Sequence, residues 1–203
     1  MAAPPQPDRL ILASASPRRS ELLREAGYRF SVVQPPLQEP DERHPHVDVA
    51  SYAESLAFFK ASSIADHHPD ATILAADTIT VLGNEIFGKP IDRADAARTL
   101  RALSGTLHSV ITGVALLHPQ TERRLIDHAA SIVRVRALNN SMIEAYLDTG
   151  QWQGKAGAYG IQDQADPFVE NVDGSFTNVV GLPMELLGKM FKEWQHAAIT
   201  AAR

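Results

Sequence analysis

An α/β fold is predicted by three features of the chain. Short apolar runs alternate with helical patterns from residue 9 onward, a pair of long strand-like runs meets across a proline turn, and 44% of the 203 residues are hydrophobic. Such content builds a core and removes disordered, collagen-like and coiled-coil readings. The length fits one large domain or two small ones. With no internal repeat and no linker-like shift in composition, a single domain over 9–195 is expected, with a frayed, disordered N-terminal tail at 1–8 and a C-terminal tail at 196–203.

The elements follow in order. Arg9 to Ala13 (RLILA) suits a short buried strand. Ser16 before Pro17 predicts a helix start, the hydroxyl at the N-cap and the ring at the first helical position. That helix turns Leu22, Leu23 and Ala26 inward and stops at Gly27. A strand over Arg29 to Val33 leads into Gln34 to Val47, a proline-rich irregular loop of a length that is usually functional or disordered. Asp48 to Asp66 reads as an amphipathic helix carrying Tyr52, Leu56, Phe59 and Ile64. Thr72 to Ala76 reads as a buried strand closing on Asp77-Thr78. Ile79 to Leu82 and Glu85 to Phe87 flank Gly83-Asn84 as a tight hairpin. Asp92 caps a helix through Leu103 that ends at Gly105. His108 to Leu117 and Arg124 to Leu138 pair as antiparallel strands across Pro119. Ser141-Met142-Ile143-Glu144 reads as a capping box whose helix ends at Gly150. Pro183 opens a last helix with Leu186, Leu187, Met190, Phe191 and Trp194.

Composition narrows function. Lysine plus arginine number 19 against 24 aspartates and glutamates, a net charge of −5, so general affinity for nucleic acid is not expected. No apolar run approaches the ~18 residues of a membrane span, and the first residues lack a secretory core, so a cytoplasmic protein without membrane contact is expected. The absence of cysteine excludes a disulfide scaffold, a thiolate zinc site and a cysteine nucleophile. Anion chemistry must come from a few placed cations.

Four constellations carry candidate chemistry. Ser14-Ala15-Ser16-Pro17-Arg18-Arg19 runs a strand into a helix N-terminus, with free N–H groups and two cations in the first turn. It is either an anion site or a plain N-cap with solvated arginines. Asp77, directly after a buried strand, is a metal ligand or general base, or else an Asx-turn at the strand end. Gly83 to Lys89 matches the phosphate-loop spacing, but Pro90 stands where Ser or Thr is needed, and the motif is rejected. Lys89 remains a phosphate contact or a surface lysine. Gly154 to Gln162 (GKAGAYGIQ) is a glycine-rich connection through which backbone could approach a ligand, and Gln162 offers a donor and an acceptor to a base edge. Gly174 to Pro183 is read as framework. His44, His46, His67 and His68 have no third ligand at a diagnostic spacing, and Glu39, Asp41 and Glu42 are ambiguous by themselves.

Six ordered segments, LILASASPRRSELL, ILAADT, GKP, LSGTLHSVITGV, GKAGAYGIQ and NVVGLP, resemble the Maf family of nucleoside triphosphate pyrophosphatases over Leu10 to about Leu187. The GKAGAYGIQ form resembles the branch acting on dTTP and UTP rather than on 7-methyl-GTP. The resemblance implies an elongated, two-lobed mixed-sheet fold of the Maf/ITPase-like type with a central cleft, a divalent-metal requirement (Mg²⁺ or Mn²⁺) and frequent homodimers. It implies that Asp77 is the proton acceptor or metal-bound carboxylate, joined at the metal by Glu39, with Glu42 a rival. Lys60 and Lys89 would contact phosphates, Arg18, Thr78 and Gln162 would set nucleotide selectivity, and Ser14 and Arg19 belong to the N-terminal signature. The expected activity is hydrolysis of the α–β phosphoanhydride as house-cleaning of nucleotide pools. The alternative is a nucleotide-binding regulator of cell division without turnover.

Overall fold

The computed structural model describes residues 4–36, 47–161 and 168–201. The strands are β1 (Leu10–Ala13), β2 (Ser31–Val33), β3 (Thr72–Leu82), β4 (Glu85–Phe87), β5 (Leu107–His118), β6 (Arg123–Val135) and β7 (Val169–Asp173). The helices are α1 (Pro17–Glu25), α2 (Val49–Ser62), α3 (Arg93–Leu103), α4 (Asn140–Asp148), α5 (Phe176–Val180) and α6 (Met184–Ala201). The strands form one sheet in the order β2-β1-β3-β5-β6-β7, with β4 paired to β3. β1 is parallel to both β2 and β3, whereas β3/β4 and β6/β7 are antiparallel, so the sheet is mixed as expected. No helix among the described residues is long and apolar enough to cross a membrane.

Two compact units divide the chain. The first comprises Met1–Asp77, Thr112–Ala129 and Gly181–Arg203, and the second comprises Thr78–Ile111 and Ala130–Val180. In the first, β1 is buried along its whole length, as parallel strands covered on both faces require. Because side chains alternate along a strand, Ile11 and Ala13 of β1 and Ile73 and Ala75 of β3 share one face. They pack with Ala57, Ala61 and Ile64 of α2 and its C-terminal extension. In the second unit, Phe87, Leu100, Leu103, Val133, Ile143, Tyr146 and Trp152 lie in the core that α3, α4 and the strands enclose.

Several local expectations change. β3 continues through Asp77 to Leu82 rather than closing there. A partner from α2 satisfies the carboxylate, so no turn is needed to solvate it. Ser16 has extended backbone angles at the N-cap of α1, but its side chain makes no capping bond. Instead its N–H donates to Ser14 Oγ at 3.1 Å, so Ser14 organises the turn. The capping box also moves. Asn139 caps α4 by accepting from the Met142 N–H at 2.9 Å, and Ser141 Oγ donates to Asn139 Oδ1 at 2.6 Å. The hairpin at Gly83-Asn84 forms as read, with Thr80 opposite Phe87.

The described N-terminal residues are held rather than frayed. Gln6 Nε2 donates to the Arg29 carbonyl at 2.8 Å, and its Oε1 accepts from the Arg29 N–H at 2.8 Å. Gln195 Nε2 donates to the Gln6 carbonyl at 3.1 Å. α6 continues beyond residue 195 to Ala201, and Arg123, stacked 4.0 Å from the Trp194 ring centroid, donates to carbonyls near its C-terminal half.

Candidate active site

In the first unit the sequence-predicted residues gather around two contacts. β1 delivers Ser14 as a buried hydroxyl just before α1. Arg19, in the first turn of α1, is also buried: its Nε donates to the Gly181 carbonyl at 2.7 Å and its Nη1 to Ser14 Oγ at 3.2 Å. A cation there opposes the helix dipole, and the Gly181 carbonyl offsets that opposition. Gly181 belongs to the NVVGLP run, read from sequence as framework, and it anchors a candidate site residue. Arg18 is half-buried at the same helix start.

The second contact is the ion pair of Lys60 Nζ with Asp77 Oδ1, whose side chains are 10% and 6% exposed. Its cause is the alternation of β3. Ile73, Ala75 and Asp77 point to one face, and α2 crosses that face with Ala57 and Ala61 bracketing Lys60. Small residues bring the helix close enough for a lysine in its last turn to reach the carboxylate. Gly113 of β5 tightens the approach further: a β-carbon there would stand 2.3 Å from the Ala53 carbonyl oxygen and 2.5 Å from the Glu54 nitrogen. Buried charges of this kind are retained at a cost in desolvation. Asp77 also lies between the stretch of β3 paired with β1 and the stretch paired with β4.

Thr78 and Lys89 belong to the second unit, Thr78 half-buried on β3 and Lys89 exposed beyond β4. The GKAGAYG run there forms a tight connection. Gly157 (φ +73) donates its N–H to the Gly88 carbonyl at 3.1 Å, and a β-carbon on it would stand 2.7 Å from Thr80 Oγ1. Ala158 follows at φ +63 and is wholly buried. A non-glycine residue in the left-handed region costs on the order of 1 kcal/mol. Tyr159 then places its hydroxyl 2.6 Å from His108 Nε2, and the two rings meet edge to face with centroids 5.5 Å apart. In the sequence His108 reads only as the start of a strand and Tyr159 only as a structural aromatic of a glycine-rich connection. The available signal was a lone histidine in an alternating strand and an aromatic among glycines.

His108 is buried, and its Nδ1 has no hydrogen-bond partner among the described residues. Burial lowers its pKa from 6.5 to about 4. The unfolded chain takes up this proton near pH 6.5, but the folded chain does so only near pH 4. Stability therefore declines as pH falls through that window, by about 2–3 kcal/mol for this group. Urea midpoints measured from pH 7 to pH 4 should fall in the wild type, and His108→Gln should flatten part of that slope. Equal slopes would remove His108 from the acid response.

Glu39, its rival Glu42, and Gln162 lie outside the described residues. For a hard divalent ion, Asp77 is a suitable buried oxygen donor, since magnesium commonly takes one or two carboxylates together with substrate phosphates. Among the described residues, the three side chains close enough to share an ion are elsewhere in the first unit: Glu54, Asp127 and His128, with ligand atoms within 4.8 Å of one another. His128 Nδ1 and Glu54 Oε1 are already paired at 2.7 Å.

Comparison with known proteins shows the family. The family model described as Maf-like protein matches residues 9–194. The chain is 43% identical over 192 residues to the dTTP/UTP pyrophosphatase of Symbiobacterium thermophilum, covering 94% of this chain and 96% of the relative. It is 46% identical over 176 residues to the dTTP/UTP pyrophosphatase of Geobacter sulfurreducens, covering 87% and 91%. Among solved structures, a HAM1 protein from Coxiella burnetii aligns with a TM-score of 0.51 at 16% identity, over 91% of this chain and 98% of that one, a likeness of fold.

Proposed function

The chain belongs to the Maf-like family, and on that footing we propose that it is a nucleoside triphosphate pyrophosphatase acting on dTTP and UTP. The observation that supports this reading best is the buried Lys60–Asp77 pair, in the same unit as the Ser14–Arg19 helix start. A carboxylate able to take a proton thus accompanies cations and N–H groups able to hold phosphates, as phosphoryl transfer requires.

In the proposed reaction a water oxygen attacks the α-phosphorus in line with the bond to the β-phosphate. The new P–O bond forms as the α–β anhydride bond breaks, giving the nucleoside monophosphate and pyrophosphate. Asp77 takes the proton of the attacking water. Arg18, Arg19 and the N–H groups at the start of α1 neutralise oxygens of the triphosphate. Lys60 stands against Asp77 as its counter-charge and offers its ammonium to a phosphate. Lys89 is a further phosphate contact, and Thr78 and Gln162 are the nucleotide-selecting residues. A magnesium or manganese ion, with Asp77 and Glu39 as its ligands, would supply neutralisation of phosphate charge and a more acidic water when bound.

The test is a panel of dTTP, UTP, GTP and 7-methyl-GTP with magnesium and with manganese, monitored separately for pyrophosphate and orthophosphate. Pyrophosphate and a monophosphate from dTTP and UTP, in preference to the two guanine nucleotides, are expected. Binding without turnover would overturn the reading in favour of a nucleotide-responsive regulator, and release of orthophosphate would place the cleavage at a different bond.

A further inference from the structure

We propose that His108 and Tyr159 are positioning residues for Lys89, acting through the left-handed pair Gly157-Ala158. The inference rests on the functional reading above, in that Lys89 is taken as a phosphate contact.

The physical chain lies within the second unit. β4 ends at Phe87, and the segment Gly88-Lys89-Pro90 follows it before α3. Gly88 and Lys89 are exposed, and the backbone just before Lys89 sets the point from which its side chain starts. One tether from another part of the chain is the Gly157 N–H, donated to the Gly88 carbonyl at 3.1 Å, on the residue just before Lys89. Gly157 can stand there because it has no side chain: a β-carbon would meet Thr80 Oγ1 at 2.7 Å, and Thr80 is the strand partner of Phe87.

The next residue has no such freedom. Ala158 occupies the left-handed region with its side chain wholly buried, a conformation an L residue keeps only when its surroundings impose it. The adjacent constraint is Tyr159, whose ring is buried in the core of the unit and whose hydroxyl meets His108 Nε2 at 2.6 Å. His108 is likewise buried on β5, with its other ring nitrogen lacking a partner among the described residues. A conformational strain and an unsatisfied nitrogen are therefore kept in one short path that ends at the Lys89 corner. Plain packing would be served as well by a phenylalanine opposite an apolar residue. The polar pair adds a fixed direction.

The test is a double-mutant cycle with dTTP. Tyr159→Phe keeps the buried ring and removes the hydroxyl. It should raise KM by about tenfold, near the effect of one hydrogen bond, with kcat within about a factor of two. In a Lys89→Ala background the same change should raise KM by less than about twofold, because its effect passes through Lys89. Equal effects of Tyr159→Phe on KM in both backgrounds would overturn the proposal, as would a lowered Tm with KM unchanged. His108→Gln, which can still hydrogen-bond the tyrosine, should keep KM nearer to the wild type than His108→Leu does; the reverse order counts against the pair. If Tyr159→Phe does not fold, Ala158→Gly relaxes the same path without touching the core ring and is expected to raise KM in the same Lys89-dependent manner.

Hydrogen exchange separates this proposal from the functional reading. Whatever the enzyme turns over, Tyr159→Phe should speed exchange of the Gly157 N–H relative to amides in α4. Wild-type protein that releases no pyrophosphate but shows this change would sink the activity and leave the mechanical link standing. Unchanged exchange at Gly157 would sink the link itself.

Discussion

Asp77→Asn should lower kcat on dTTP by about a thousandfold or more under the proposed mechanism, in which this carboxylate accepts the proton of the attacking water and the amide would not. The same substitution leaves the Lys60 ammonium buried without its counter-charge. Breaking a buried pair by removing one partner typically destabilises by about 3–5 kcal/mol, a large share of the roughly 5–15 kcal/mol that hold a domain together. A loss of activity alone would therefore not distinguish a dead site from a weakened fold. The distinction comes from Lys60→Met and from the double variant. Lys60→Met should be destabilised to a similar degree, because it strands the carboxylate. The double variant carries neither buried charge, so its urea midpoint should recover above that of either single variant, while its turnover stays near zero. A double variant as unstable as the sum of the two would show that the pair contributes little as a pair. A folded Asp77→Asn protein with wild-type turnover would remove Asp77 from the chemistry.

The sequence was most legible where one rule acted alone. The strands read at Arg9 to Ala13 and from Thr72, the Gly83-Asn84 hairpin and the helix after Asp92 follow from hydrophobic runs and turn chemistry; all of them form, the first starting one residue later at Leu10. It was least legible where a distant residue changed the local outcome. Asp77 reads as the end of a strand because a carboxylate after an apolar run ordinarily seeks water. It is kept inside β3 by a lysine 17 positions away on another element. Ser16 reads as the capping hydroxyl, yet it makes no capping bond, and it is Ser14 that receives the Ser16 N–H and the Arg19 guanidinium. The NVVGLP run has no titratable group and reads as framework, but its Gly181 carbonyl holds Arg19. Nothing in local propensity encodes such pairings, which depend on which faces the sheet brings together. Gly113 is a middle case: a lone glycine inside a strand pattern signals a close backbone approach, though not which backbone.

Gly113→Ala should be the most damaging single-methyl substitution in the first unit. The added β-carbon would stand 2.3 Å from the Ala53 carbonyl oxygen, 2.4 Å from its carbonyl carbon and 2.5 Å from the Glu54 nitrogen. All three are backbone atoms of α2, so no side-chain rotation relieves the clash, and either the helix or β5 must shift. Overpacking with such contacts costs typically about 1–3 kcal/mol and more where the neighbours are rigid. We expect the upper end of that range from urea denaturation. The shift also has a functional direction, because α2 is the helix that carries Lys60 to Asp77. Lifting its N-terminal half from the sheet should misplace that pair and lower kcat beyond what the remaining folded fraction explains. Gly188→Ala is the matched control. Gly188 lies in α6 of the same unit, and a β-carbon added to it would meet no described atom within 4 Å beyond the adjoining backbone of its own helix. Alanine in a helix is favoured over glycine by about 0.8–1 kcal/mol, so that variant should gain stability and keep its activity. If both substitutions behaved alike, the close approach of α2 to β5 would not be what sets the position of Lys60.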